Sequence, residues 1–189
     1  AFPVRRSKKM KLRKLTIMSF LVAFSAVLSL LIKIPFPTAP FLIYEPGDIP
    51  ILIGGMIYGP VAALAMTVTI SILMGFVVPS GGIFGVVMHI IATGLLTGVA
   101  AAFYKGTLKS ARIGLSLGVL AMSITMPILN LWLNPIYYGM PREAVMGLLL
   151  PAIIPFNLIK SIANATATAV LLPKISAWWE RNIQDVAKR

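Results

Sequence analysis

The sequence is poor in the residues on which most enzymes depend. It has no cysteine, one histidine, and five aspartate or glutamate residues among 189. The lack of cysteine excludes disulfide bonds and thiolate chemistry. No carboxylate lies inside an apolar run, so we expect neither an acid–base pair nor a metal site. A G-x-x-x-x-G-K-[ST] phosphate loop is also missing, so we expect no ATP hydrolysis, no catalytic residue and no cofactor in this chain.

Charge is scarce overall. Only 12% of the residues are charged, 58% are apolar, and the mean hydropathy is +0.92. Soluble domains carry about 25% charged residues, so this composition excludes a soluble globular domain and a disordered chain. Strand-type alternation is absent, which argues against a transmembrane barrel. At about 20 residues per span, the length allows at most about seven helices, and the expected fold is all-α, an integral membrane bundle.

The positive charges are concentrated in three places. Fourteen of the 17 lysine and arginine residues lie in the segments 5–14, 105–112 and 174–189, each beside an apolar run. This positive-inside pattern predicts that both termini and the central basic loop are cytoplasmic. A protein that binds nucleic acid would need an exposed basic face with stacking aromatics. None is visible, so no nucleic-acid partner is expected.

Six crossings satisfy the basic clusters. The first apolar run is longer than the core of a signal peptide, and no small-residue cleavage site follows it, so it is predicted to be a retained span. An even number of crossings must separate the first two clusters, so the short segment 49–58 must cross as well. The predicted spans are 15–32, 49–58, 61–78, 83–104, 113–133 and 151–172. They form a domain at 15–172 between a basic cytoplasmic segment, 1–14, and a cytoplasmic tail, 173–189.

Small residues at a four-residue spacing recur in these spans and allow helix backbones to approach closely. The glycine pairs are Gly55/Gly59, Gly81/Gly85, Gly94/Gly98 and Gly114/Gly118. The first helix has the looser pair Ser19/Ala23. Packing within the bundle is the favoured interpretation, and a docking surface for another subunit, on the first helix, is the alternative.

Polar side chains converge on the outer half of the predicted bundle. Lys160 is the charged residue that lies well inside an apolar span, where a lysine normally faces a partner or a cavity. Asn157, Lys160 and Asn164 follow one helical stripe, and Asn130 and Asn134 are one turn apart at the outer end of the fifth helix. These residues predict a site for a polar ligand. The alternatives are that they satisfy one another or that Lys160 reaches the surface.

The segment 35–47, PFPTAPFLIYEPG, has four prolines and three aromatic residues. Proline lowers the entropy lost when a loop is ordered, so we interpret this segment as a stiff lid over a flat apolar ligand. Asp48 is expected to be the N-cap of the second helix, with ligand contact or a pair with Lys160 as alternatives. Gly85 would allow a close ligand approach, Phe84 and Met88 could line a slot, and His89 is expected to be a satisfied core histidine.

Three stretches carry a resemblance to a known family. FPTAPFLIYEPGDIP, GGIFGVVMHIIATG and NLIKSIANA resemble riboflavin-specific S components of energy-coupling factor (ECF) transporters, over about residues 12–175. The resemblance implies a subunit that captures riboflavin outside a bacterial cell, in the plasma membrane. Its partners would be a transmembrane coupling subunit and two ABC-type ATPases. Riboflavin would be the transported ligand, not a cofactor.

The resemblance also implies roles for particular residues. The first-helix motif that contacts the coupling subunit would fall on Ala23 and Val27, or on Ser19 and Ala23. Polar groups would bind the flavin edge or the ribityl hydroxyls, and the lid would cover the ring. The expected ligand-binding residues are Ala39, Pro40, Phe41, Leu42, Tyr44, Asp48, Phe84, Gly85, Met88, Asn130, Asn134, Lys160 and Asn164. An S component for another vitamin, such as thiamine or biotin, and a membrane scaffold protein remain alternatives.

Overall fold

The chain folds into a bundle of helices in a computed structural model, which describes residues 8–77 and 82–179. The helices are α1 (Lys8–Leu31), α2 (Asp48–Tyr58), α3 (Pro60–Val77), α4 (Gly82–Phe103), α5 (Leu108–Tyr138), α6 (Arg142–Leu148) and α7 (Ile154–Trp179). A π-helical turn, Leu149–Ile153, joins α6 and α7 into one continuous run. Counted in this way, the described residues form six helices, and five are long and apolar enough to span a membrane. The predicted six-helix membrane bundle is therefore confirmed.

The helices extend beyond the predicted spans. Helix α1 begins at Lys8 within the basic segment, and α5 runs from Leu108 to Tyr138 through two internal prolines, Pro127 and Pro135. The last helical run begins at Arg142, nine residues before the predicted start, and takes Pro151 into its π-helical turn. Hydropathy marks only the apolar part of a helix, and proline is tolerated in membrane helices when neighbouring groups satisfy the freed backbone. The predicted turn at 79–81, with Gly81, and the tail from 180 lie outside the described residues.

The segment predicted to be a stiff loop is a β-hairpin. Strands β1 (Ile34–Phe36) and β2 (Ala39–Tyr44) pair antiparallel, with Ile34 opposite Tyr44. A two-stranded hairpin has two edge strands, which tolerate proline because its missing N–H can face outward. The bundle is therefore helical apart from this hairpin, which adds a short strand pair to the expected all-α fold.

The hairpin is attached to the far end of the bundle. The Thr38 hydroxyl donates a hydrogen bond of 2.7 Å to the carbonyl of Pro151 in the π-helical turn. The ring of Phe36 packs edge-on against that of Phe156 on α7, with 5.7 Å between the centroids. These contacts fix the hairpin against the π-helical turn and the beginning of α7.

Glycines allow α4 and α5 to pack closely. A Cβ atom added to Gly114 or Gly118 would lie 2.5 Å from the carbonyl oxygen of Ala100 or Leu96 on α4. This supports packing within the bundle for that pair. Gly59, in contrast, ends α2 with a φ of +94°, and a Cβ added there would meet nothing within 4 Å, whereas one on Gly55 would lie 2.7 Å from the Cβ of Ala63 on α3. The break between the predicted spans 49–58 and 61–78 is confirmed, and of the pair Gly55/Gly59 only Gly55 packs closely against another helix.

We expect Gly118→Val to lower the free energy of unfolding by about 1–3 kcal/mol, because the added carbons meet backbone that cannot move aside. The matched control is Gly147→Ala, since a Cβ at Gly147 meets nothing within 4 Å. Thermal unfolding in detergent would measure both variants. Equal midpoints for the two would contradict close α4–α5 packing at this position.

Candidate ligand-binding site

A cavity of about 270 Å³ lies between the hairpin, α4, α5 and α7; we call it the ligand cavity. Known small-molecule sites measure about 300–1,000 Å³, so this cavity is slightly smaller than that range. Eight of the thirteen residues expected to bind ligand line it. They are Phe41, Leu42, Phe84, Gly85, Met88, Asn130, Asn134 and Lys160. A larger groove of about 410 Å³ between α5 and α7 has mostly apolar walls and none of the predicted residues.

The other five expected residues lie outside the cavity wall. Ala39 is buried within the fold and Pro40 is exposed. Within strand β2 the cavity wall begins at Phe41 and continues through Leu42 and Ile43, so the first two residues of the strand do not reach it. Tyr44, Asp48 and Asn164 instead form a polar network behind the cavity.

Asp48 is the centre of that network. Its carboxylate, 2% exposed, lies 3.4 Å from Lys160 Nζ and accepts a hydrogen bond of 3.1 Å from Asn164 Nδ2. Its other oxygen accepts one of 3.0 Å from the Thr93 hydroxyl and lies 3.2 Å from His89 Nε2. A buried charge needs such pairing and hydrogen bonding to be tolerated. All four partners are on other helices.

The expectation that Asp48 caps the second helix is wrong. The N-cap position of α2 belongs to Gly47, and no side-chain hydrogen bond caps it. Asp48 is in the first helical turn and pairs with Lys160, which confirms the alternative. Asp48 does not line the ligand cavity and its oxygens are occupied by protein groups, so it supports the site and is not expected to contact the ligand.

Lys160 lines the ligand cavity even though it is paired. An ammonium group has three donors, and the contact with Asp48 occupies one direction only. The side chain remains 10% exposed, within the cavity wall. A charged donor therefore faces the space that a ligand would fill.

Two asparagines provide the opposite wall, on α5. Asn130 Nδ2 donates to the carbonyl of Met126 (2.8 Å), and Asn134 Nδ2 donates to Asn130 Oδ1 (3.0 Å). Asn134 Oδ1 is buried and has no hydrogen-bond partner in the described part of the chain. Such an acceptor costs about 1–3 kcal/mol while unsatisfied. It is therefore the group in this cavity that most requires a donor from a ligand.

Tyr44 connects the hairpin to the network. Its hydroxyl donates a hydrogen bond of 3.0 Å to Asn164 Oδ1, while Asn164 Nδ2 holds Asp48. Burial, and then the charge of Asp48, raise the pKa of Tyr44, so the hydroxyl keeps its proton at neutral pH. The position of strand β2 is thereby linked to the buried ion pair.

The cavity wall also includes Asn157, a member of the predicted polar stripe, and residues that the sequence reasoning did not select as ligand-binding. The latter are Ile43, Glu45, His89, Ala92, Met122, Met126, Tyr138 and Phe156. His89 has the expected core partners, with Nδ1 2.7 Å from the Ser71 hydroxyl, but it also faces the cavity. Helical spacing could have found several of them, because Met122 and Met126 continue the Asn130/Asn134 stripe at intervals of four.

The predicted docking residues are exposed on one face of α1. Ser19, Ala23 and Val27, which we call the small-residue stripe, are four residues apart, and all three point away from the bundle. Val27 is 48% exposed. The face is therefore available to lipid or to another membrane subunit.

The fold and the site define a membrane-embedded ligand-binding component. The family model described as "ECF transporter, substrate-specific component" matches residues 13–172. The chain belongs to this family, whose members are components of transporters and not enzymes. Among the described residues, no three His, Asp or Glu side chains are grouped as a metal site would require.

Comparisons with individual proteins agree with this assignment. The chain is 33% identical over 185 residues to "Riboflavin transporter FmnP" of Bacillus subtilis (strain 168), covering 91% of this chain and 96% of the relative. It is 27% identical over 178 residues to "Riboflavin transporter RibU" of Staphylococcus aureus (strain TCH60), covering 89% and 93%. A solved structure titled "Structure and mechanism of the S component of a bacterial ECF transporter" superposes with a TM-score of 0.76. It is 29% identical and covers 90% of this chain and 99% of that one.

Proposed function

We propose that this chain captures riboflavin at the outer side of the bacterial plasma membrane and delivers it to an ATP-driven ECF coupling module. Two curated relatives that match about nine tenths of the chain are named riboflavin transporters. The observation that carries the proposal is chemical. The unpartnered acceptor of Asn134 and the charged donor of Lys160 lie in the wall of one cavity.

The cavity complements a flavin. An isoalloxazine has apolar faces and a pyrimidine edge that alternates carbonyl acceptors with one N–H donor. Phe41, Phe84 and Met88 supply apolar surface for the faces. Asn134 Oδ1 would accept the N–H at position 3, and Lys160 would donate to a carbonyl beside it. A ligand bound in this way would satisfy the acceptor that the protein alone leaves without a partner.

The proposed partners are a transmembrane coupling subunit and two ABC-type ATPases. The small-residue stripe on α1 would contact the coupling subunit, because small side chains permit close helix packing. The bundle at 15–172 would be the substrate-binding domain, and the basic ends at 1–14 and 173–189 would be cytoplasmic. Riboflavin is the cargo of such a transporter, so the chain requires no cofactor.

Flavin titration tests the proposed function. Protein purified in detergent from riboflavin-fed cells should be yellow, with quenched flavin fluorescence and a flavin mass in the released ligand. After a denaturing wash and refolding, riboflavin should bind again, while thiamine and biotin should not compete. Colourless protein that fails to quench added riboflavin, or that binds thiamine or biotin instead, would reject riboflavin as the ligand.

We expect Tyr44→Phe to raise the rate of flavin dissociation about 3- to 10-fold. The change removes the hydrogen bond from Tyr44 to Asn164, which is worth about 0.5–1.5 kcal/mol and ties strand β2 to α7. Stopped-flow fluorescence with excess competing ligand would measure the rate. Tyr137→Phe is the control, since Tyr137 is about half exposed and does not line the ligand cavity. Equal rates for Tyr44→Phe and wild type would show that the hairpin is held by other contacts.

A further inference from the structure

A second cavity, of about 140 Å³, adjoins the ligand cavity between α1, α3 and α4; we call it the side cavity. The two cavities share three wall residues, Glu45, Gly85 and His89. Ser29 and Ser71 bring hydroxyl groups to the side cavity. The side cavity therefore adjoins the ligand cavity at these three residues and places two hydroxyl groups near the junction.

Glu45 lies at the junction of the two cavities. The residue is partly buried, and among the described residues neither the ion pairs nor the side-chain hydrogen bonds include it. The other interior charges, Asp48 and Lys160, are paired with each other. Glu45 therefore contributes a negative charge to the junction that no neighbouring lysine or arginine balances, and an ionised carboxylate can only accept hydrogen bonds.

We propose that Glu45 determines specificity between neutral and phosphorylated flavins. This inference rests on the proposed function. It assigns the Glu45 carboxylate as the acceptor of hydrogen bonds from the hydroxyls of the ribityl chain. A chain that ends in a phosphate carries about −1.5 to −2 charges at pH 7. Such a group would meet a like charge at the junction. Interfaces commonly gain specificity by placing an unfavourable charge against the competing ligand.

The test compares riboflavin with riboflavin 5′-phosphate by fluorescence quenching, in wild type, Glu45→Gln and Glu143→Gln. Glutamine keeps the shape and one acceptor, and Glu143 is an exposed carboxylate on α6 that serves as the control. We expect wild type to prefer riboflavin. In Glu45→Gln this preference should fall about tenfold, chiefly through tighter binding of the phosphate, while Glu143→Gln should keep the wild-type ratio.

Salt provides a second readout, which can be measured on wild type even if the variant does not fold. The Debye length falls from about 10 Å at 0.1 M to about 3 Å at 1 M, so a half-buried charge is screened more strongly. The preference of wild type for riboflavin should therefore decrease with salt, and that of Glu45→Gln should change little. If the ratio of the two flavin affinities is unchanged in Glu45→Gln, or if wild type binds both flavins equally, the role of Glu45 is overturned. The proposed function would be unaffected. Absence of riboflavin binding in wild type would instead reject the proposed function and this inference with it.

Discussion

Replacing Lys160 with methionine is expected to lower the free energy of unfolding by about 3–5 kcal/mol. The change leaves Asp48, 2% exposed, as a buried charge without its cation. The double variant Asp48→Asn/Lys160→Met should recover most of this loss, since neutral replacement of both members of a buried pair costs little. Thermal unfolding in detergent would measure all three proteins. Lys174→Met, which changes an exposed lysine on the same helix, is the control.

The double variant also separates binding from folding. Because the protein should remain folded without the ammonium group, any loss of affinity for riboflavin reports the contact of Lys160 with the ligand. We expect binding to weaken about 10- to 100-fold, since a hydrogen bond to a charged group is worth about 1.5–3 kcal/mol. A folded double variant that binds riboflavin within twofold of wild type would make Lys160 a purely structural residue. The polar stripe would then only join helices, as in a membrane scaffold.

Replacing Asn134 with leucine is expected to weaken riboflavin binding about 10- to 100-fold. The change removes the acceptor proposed for the flavin N–H, which would leave that donor of the bound ligand without its partner. Ser123→Ala is the control, because Ser123 is on the same helix, contacts Ser161 at 3.3 Å and does not line the ligand cavity. It should leave the affinity unchanged within twofold.

A modified ligand makes this prediction more specific. Riboflavin methylated at N3 cannot donate the hydrogen bond, so wild type should bind it at least tenfold more weakly than riboflavin. Asn134→Leu should bind the two ligands equally, because neither can use the missing acceptor. If the variant still prefers riboflavin over the methylated form, the N–H is recognised by a different residue.

The number and order of the helices could be predicted from the sequence. Counting crossings between basic clusters required the short segment 49–58 to be a helix, and α2 spans Asp48–Tyr58. The glycine–proline pair at 59–60 located the break between the second and third helices. The helical spacing of the polar residues correctly predicted that Asn130, Asn134 and Lys160 line one cavity. These features depend on charge placement and helical periodicity, and both can be read from the order of residues along the chain.

Long-range pairing could not be inferred in the same way. Asp48 stands where a helix cap is common, so the pair with Lys160, 112 positions later, was only an alternative that the local sequence did not favour. The hairpin was missed because its prolines and short strands are typical of a loop, and its pairing depends on cross-strand contacts. Asn164 lies on the predicted stripe but turns to Asp48 and Tyr44, since neighbours on other elements determine which partner it meets.

Helix α2 sets the depth of the ligand cavity. It has eleven residues and rises about 16 Å, roughly half of a 30 Å hydrocarbon layer. Its Tyr58 end is tied to the basic part of α1, where Lys14 Nζ lies 3.5 Å from the Tyr58 carbonyl. With the basic end of α1 on the cytoplasmic side, as proposed above, the Asp48 end of α2 would lie near mid-membrane. A vitamin held in the ligand cavity beside Lys160 would then be about halfway across the lipid before the transporter consumes any ATP.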